Sequence, residues 1–223
     1  MNKAFLLSPA RAQGQRARMI FSPRARFDLA LRMQRGEAAP LGEIFTFLSG
    51  LYFRGKVAYA RTFAKCTPGG CAVWVITTNR GLLNIDEPIS LEELREFSDV
   101  DIDHGDARYR KPLERDARRI LKRFGPEAEI VLLGSISTKK YVECLLEVFG
   151  AQLKFPIDFV GRGDMSRGGL LLRCAVDHQE LTYAPVLGAT RRGKRPPKLA
   201  PRRYTRIVTP DVRREHLSES WRR

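Results

Sequence analysis

Glu129 to Phe149, EIVLLGSISTKKYVECLLEVF, decides the fold class. Glu129 to Leu133 is a short apolar run of the kind that forms a buried strand. Gly134, Ser135, Ile136, Ser137 and Thr138 then turn the chain, and the spacing predicts a helix over Lys139–Phe149. Strand, turn and helix in that order make one βα unit. Repeated units of this kind give an α/β fold, a central mostly parallel or mixed sheet flanked by helices. The turn leads into a helix N-terminus, where free N–H groups can meet an anion. Gly134, Ser135, Ser137, Lys139 and Lys140 are therefore candidate phosphate contacts. The GxxxxGK[ST] pattern is absent, so this is not a P-loop.

Downstream lies a second corner, Asp158 to Arg173, DFVGRGDMSRGGLLLR. A strand-like run, Leu153 to Phe155, precedes it, and the apolar run Leu170 to Leu172 follows. Glycine lets the backbone approach a ligand, and arginine offers a flat fork of donors suited to phosphate or carboxylate. Arg162, Gly163, Ser166 and Arg167 are the expected anion contacts. Asp164 is the candidate catalytic carboxylate, with Asp158 and Asn79 behind it; its plainer reading is an N-cap to a helix starting at Met165. Periodicity leaves Gly169–Val176 open between helix and strand.

Upstream, Lys3 to Ser8 reads as a first buried strand stopped by Ser8-Pro9. Arg11 to Phe21 reads as a second short strand or a loop. Ser22-Pro23 reads as a cap and first turn of a helix that runs through Phe27–Met33 to Gly36. Leu41 to Phe63 is the longest helical pattern, with expected breaks at Ser49-Gly50 and at Gly55. Around the second break, YFRGK sets Tyr52 and Phe53 beside Arg54 and Lys56. That grouping suits base stacking with phosphate contact, or an aromatic core flanked by snorkelled cations. Ala72 to Thr77 reads as a central strand, with Asn79 and Arg80 at its ligand-facing carboxyl end. Ser90 and Glu93 have the spacing of a capping box. Asp99 to Asp106 reads as a solvated or salt-bridging loop, with His104 in a surface turn. Arg110 to Phe124 is an amphipathic helix with Leu113, Ala117, Ile120, Leu121 and Phe124 inward. Leu181 to Leu187 reads as a last strand.

The 223 residues are 43% hydrophobic, enough for one core and one domain, here 1–188. The net charge is +15, and it sits at the two ends. Residues 1–40 hold eight basic and two acidic side chains, and 191–223 hold twelve and three. The middle holds twenty of each. A surface of this kind attracts polyanions, and nucleic acid is the expected partner. Residues 189–223, rich in Arg, Lys and Pro, are expected to lack a fixed fold until bound. Arg191, Arg192, Lys194, Arg195, Arg202 and Arg203 are the tail contacts. Cys66, Cys71, Cys144 and Cys174 form no CxxC pair, and His104, His178 and His216 have no ligand spacing. Reduced structural cysteines, no metal and no cofactor are expected. Neither a secretory signal nor an 18-residue apolar run is present, so a cytoplasmic protein with no membrane partner is expected.

The order of these motifs resembles the peroxide-stress protein YaaA-like superfamily. KAFLLSPA is similar to its opening strand ending in Ser-Pro-Ala. VITTNRGLL with DEPI is similar to its strand, Gly-Leu segment and proline turn. IVLLGSISTKKYVECLL is similar to its strand, Ser-bearing turn and helix, and RGDMSRGGLLLR to its late Arg-Gly-x-Met-Ser-Arg helix. The matches span about residues 3–176; YFRGK and the basic tail have no counterpart among them. The resemblance implies a mixed-sheet α/β fold, a helix start over Arg162–Leu172, and duplex-DNA binding linked to protection against oxidative damage. It carries over no catalytic residue.

Two functions follow as expectations. One is a nucleic-acid binder of stress-response or repair type, DNA before RNA. The other is an enzyme acting on a nucleotide or on a base in nucleic acid, of glycosidase or base-transferase type.

Overall fold

A parallel strand with neighbours on both sides must be apolar on both faces, and KAFLL meets that demand at the centre of the sheet. The computed structural model describes residues 2–65 and 72–201. In chain order its elements are β1 (Lys3–Leu7), α1 (Gln15–Phe21), α2 (Asp28–Gln34), β2 (Ala39–Pro40), α3 (Leu41–Ser49), α4 (Leu51–Phe63), β3 (Val73–Ile76) and β4 (Leu82–Asn84). They continue with β5 (Pro88–Ile89), α5 (Leu91–Glu96), α6 (Ala107–Phe124), β6 (Glu129–Leu133), α7 (Val142–Phe149), β7 (Leu153–Pro156), α8 (Asp164–Val176) and β8 (Tyr183–Pro185). The main sheet has the order β4-β3-β1-β6-β7-β8. β3, β1, β6 and β7 run parallel, while β4 and β8 close the two edges antiparallel. β2 and β5 form a separate two-stranded pair. This is the expected α/β architecture.

Alternation along the strands sorts the core into two layers. Phe5, Leu7, Val73, Val75, Val131 and Leu133 point to one face, where α1 to α4 and α8 cover them. Ala4, Leu6, Ile76, Ile130 and Leu132 point to the other, under α6 and α7. The charged stripe of α6 lies outward, with Leu113, Ala117, Ile120 and Phe124 buried as expected. The capping box on Ser90 and Glu93 is also formed, with both reciprocal hydrogen bonds.

Four local expectations are corrected. Gln15–Phe21, read as strand or loop, is helix, and its core-facing Ala17 and Ile20 show the three-residue spacing. The next helix starts at Asp28, not at Ser22-Pro23, which form a turn. The turn after β6 does not open directly into a helix: α7 begins only at Val142, after an uncapped Tyr141. Gly50, at φ +62°, does break the long pattern between α3 and α4, but Gly55 does not. α4 runs straight through it. The open segment Gly169–Val176 is helix, part of α8.

Gly55 marks instead where α4 meets α8. A Cβ on it would lie 2.6 Å from the Gly168 carbonyl oxygen, and one on Gly168 would lie 2.7 Å from the Tyr52 Cα. The two backbones touch with no room for a methyl group. At Gly169, by contrast, the nearest atom would be Leu199 Cδ1 at an ordinary 3.7 Å. Gly168→Ala is expected to cost about 1–3 kcal/mol or more by overpacking. Gly169→Ala is expected to stabilise by roughly 0.5–1 kcal/mol through helix propensity. Urea unfolding of the two variants side by side measures both signs.

Candidate functional site

Chain order reverses around β1, because β3 lies on one side of it and β6 on the other. Ligands of open α/β sheets bind at the carboxyl ends of strands at such a point. A cleft of about 680 Å³ opens there. Ser8 to Gln13 follow β1 into it, Thr78 follows β3, and Ser135, Thr138 and Lys140 follow β6. Tyr52 and Lys56 enter from α4, Asp164 from α8, and Tyr141 from the residue before α7.

The floor of the cleft holds Lys56, 1% exposed. Its Nζ donates to the Ser8 carbonyl at 2.9 Å and meets Ser8 Oγ at 2.7 Å. It also lies 4.1 Å from the Tyr52 ring centroid and 5.1 Å from that of Phe53. Among the described residues the ammonium form therefore has two oxygens and two rings, and no carboxylate in salt-bridge contact. Burial lowers its pKa from the ordinary lysine value to about 7; Asp164 pulls weakly the other way and Arg167 adds to the lowering. Gly134 passes close above Ser8: a side chain there would lie 2.8 Å from Ser8 Cβ and 2.9 Å from the Tyr141 hydroxyl. Tyr141 donates to the Ser135 carbonyl at 2.9 Å. The Tyr52 hydroxyl is buried and has no acceptor among the described residues. Burial raises the pKa of both tyrosines, so both are neutral donors near neutral pH.

Arg167 is buried too. Its guanidinium donates twice to the Phe159 carbonyl, at 3.0 and 3.2 Å, and meets Asp164 at 3.5 Å. It pins α8 to the preceding turn and keeps one positive charge beside the cleft. Asp164 is the first residue of α8, with Gly163 as the cap residue; its carboxylate makes no cap hydrogen bond and its side chain is 70% exposed. The expected cap at Asp164 is thus displaced by one residue, and the carboxylate stands on the rim.

The expected anion contacts divide into three groups. Gly134, Ser135, Lys140, Lys56 and Asp164 meet at the cleft. Lys56 is neither an exposed phosphate contact nor a snorkelled cation, because α4 turns it inward. Arg162, Gly163 and Ser166 face a separate groove of about 350 Å³ on the far side of the first turn of α8, with Arg173, Arg195 and Lys198. Arg162 is held there by the Asp158 carbonyl and Ser166. The third group lies outside both depressions. Arg80 is paired with Glu93 and Glu96 on α5, Asn79 donates to the Glu96 carbonyl, and Arg54 is exposed on the outer face of α4. Ser137 is tied to Ser135 at 2.8 Å, and Lys139 is exposed beyond it. Arg191 pairs with Glu143 at 2.6 Å. Arg202 and Arg203 lie outside the described residues, as do Cys66 and Cys71; Cys144 and Cys174 are buried thiols.

The segment 189–201 has no helix or strand, in keeping with its composition, but it lies against the body. Arg173 donates to the Ala200 carbonyl, and the Lys194 carbonyl packs on Gly161. Ser8 and Tyr141 are the site residues that sequence reasoning missed, while Tyr52 was singled out in YFRGK. Ser8 carried one signal, its place at the carboxyl end of the first strand. Among the described residues no three His, Cys, Asp or Glu side chains gather as a metal site, and no helix is long and apolar enough to cross a membrane. Comparison with protein-family models, with curated proteins and with solved structures finds no match.

Unfolding restores the ordinary pKa of Lys56, so between about pH 7 and pH 10.5 the unfolded chain binds the proton that the folded chain has released. The cost of burying this lysine is present in full below pH 7 and fades as pH rises. The gap in melting temperature between Lys56→Met and the parent chain, with the variant the more stable, is therefore expected to narrow from pH 6.5 to pH 9. Thermal unfolding at three pH values checks it, and a gap that widens contradicts the sign.

Proposed function

We propose that this chain is an enzyme that acts on a nucleotide or on a base presented by nucleic acid, with the cleft above Ser8 and Lys56 as its active site. The observation that carries this reading is the buried lysine on the cleft floor. A purely phosphate-binding site gains from exposed, fully charged cations. A lysine taken out of water beside a serine and poised near neutrality is costly to build, and such groups concentrate where proton transfer is needed. The tyrosines, Ser135 and Thr138 around it supply aromatic surface and hydrogen-bonding groups of the sort that hold a base.

The basic groove supports the nucleic-acid part of the reading. Arg162, Arg173, Arg195 and Lys198 line it, and only the first turn of α8 and the Leu51–Tyr52 segment separate it from the cleft. A phosphodiester backbone followed by the groove would bring its nucleotides past the cleft mouth. Lys140 and Arg11 at the cleft suit the same polyanion. Duplex DNA in stress protection or repair is the biological setting that the family resemblance adds; single-stranded DNA and RNA satisfy the same contacts.

Titration of the full chain against duplex DNA, single-stranded DNA and structured RNA at two salt concentrations tests the reading. Arg162→Gln combined with Arg195→Gln is expected to flatten the salt dependence of binding, by roughly 0.9 in log–log slope for each duplex phosphate contact removed. Micromolar or tighter binding that keeps the parent slope in this variant would move the contact elsewhere. No binding to any of the three at low salt would end the nucleic-acid reading.

A further inference from the structure

We propose that Ser8 is a covalent nucleophile and Lys56 its general base, and that the pair opens an ester or amide bond on the ligand of the cleft through an acyl-enzyme. This deepens the function proposed above and takes its site as given.

The geometry is that of an activated serine. Nζ of Lys56 lies 2.7 Å from Ser8 Oγ, and its other oxygen contact is the carbonyl of the same residue at 2.9 Å. The amine is thus aimed at one hydroxyl and held on it from two directions. The 2.7 Å contact serves donation either way; with the amine neutral, the hydroxyl donates to the Nζ lone pair. A serine is activated by an adjacent base within hydrogen-bond reach, and serine–lysine pairs are one form of that arrangement. The surroundings favour the neutral amine. The charged and titratable groups about the pair are Asp164 and Arg167 on α8, Tyr52 on α4 and Tyr141 before α7. Asp164 is largely exposed and already meets Arg167, so among the described residues no buried anion holds the proton on Lys56.

A purely structural hydrogen bond does not need this residue. A neutral side chain of similar length would hold the Ser8 carbonyl without bringing an ammonium group out of water. Ser8 also has the right place, at the carboxyl end of the central strand and on the cleft wall. Tyr52 also lines the cleft, and its hydroxyl, buried beside Arg167, has no acceptor among the described residues.

The step balances with water as the only co-reactant. Lys56 takes the hydroxyl proton as Ser8 Oγ bonds to the carbonyl carbon and the carbonyl π pair moves to its oxygen. The intermediate collapses, the bond to the leaving nitrogen or oxygen breaks with its electron pair, and that atom takes the proton from Lys56. Water then adds to the acyl-enzyme, gives its proton to Lys56, and the carboxylic acid departs as Ser8 regains a proton.

A fluorophosphonate, which reacts with activated serines, is the probe, used on the full chain with peptide mapping by mass spectrometry. Labelling at Ser8 is expected, faster at pH 8 than at pH 6, absent in Ser8→Ala, and slowed about 100-fold or more in Lys56→Met, the scale of a lost general base. No label at Ser8 at either pH, or equal labelling in Lys56→Met, overturns the assignment. Should Lys56→Met fail to fold, Ser8→Cys decides. Its alkylation by iodoacetamide is expected to show a thiol pKa well below the usual value of about 8.5. An ordinary or raised thiol pKa overturns the proposal. Labelling needs no nucleic acid, so loss of nucleic-acid binding would defeat the partner and leave the dyad standing, while unlabelled Ser8 with intact binding would do the reverse.

Discussion

The site depends on one contact, the meeting of Gly55 with Gly168. Two helices approach this closely only where neither carries a side chain. The crossing fixes what stands next to it. Lys56 follows Gly55 and is driven into the interior beneath Ser8; Arg167 precedes Gly168 and is buried against the Phe159 carbonyl. The buried lysine of the cleft and the buried arginine beside it are thus sequence neighbours of the two glycines at the crossing. A methyl group at either position pushes α8 outward and carries Arg167 and Asp164 with it.

Electrostatics then divides the labour between buried and exposed charge. Several surface arginines of the charge-neutral middle have carboxylate partners. Arg80 with Glu93 and Glu96, and Arg115 and Arg119 with Asp116, are examples. Such exposed pairs contribute little to stability, and they withdraw those arginines from binding anions. Arg162, Arg173, Arg195 and Lys198 at the α8 groove form no ion pair among the described residues. Net charge alone did not distinguish these two populations; the fold does.

Much of the fold was legible because it rests on local signals. Short apolar runs marked β1, β3, β6 and β7, and the amphipathic stripe marked α6. The misreadings came from competition between local signals. Ser22-Pro23 has the chemistry of a helix start, yet the apolar stripe that packs begins only at Leu29. Gly55 has the chemistry of a helix break, yet tertiary contact used it as a crossing point. The site was legible only in part. Gly134, Ser135, Lys140 and Asp164 follow from turn chemistry next to strands. Lys56 was noticed for its charge, but its inward orientation depends on a helix crossing more than a hundred residues away in sequence. Ser8 and Tyr141 come from separate βα units, and only the parallel pairing of β1 with β6 brings them together.

The two antiparallel edge strands have a consequence for how this chain can meet a copy of itself. β4 and β8 are three residues each, and β8 ends in Pro185, which has no N–H to offer. A sheet edge this short, with a proline in it, is a poor template for another strand. The four parallel strands inside it are shielded from the solvent at both margins. Among the described residues, backbone pairing between copies is therefore disfavoured at either edge of the main sheet. The net charge of +15 adds long-range repulsion between copies.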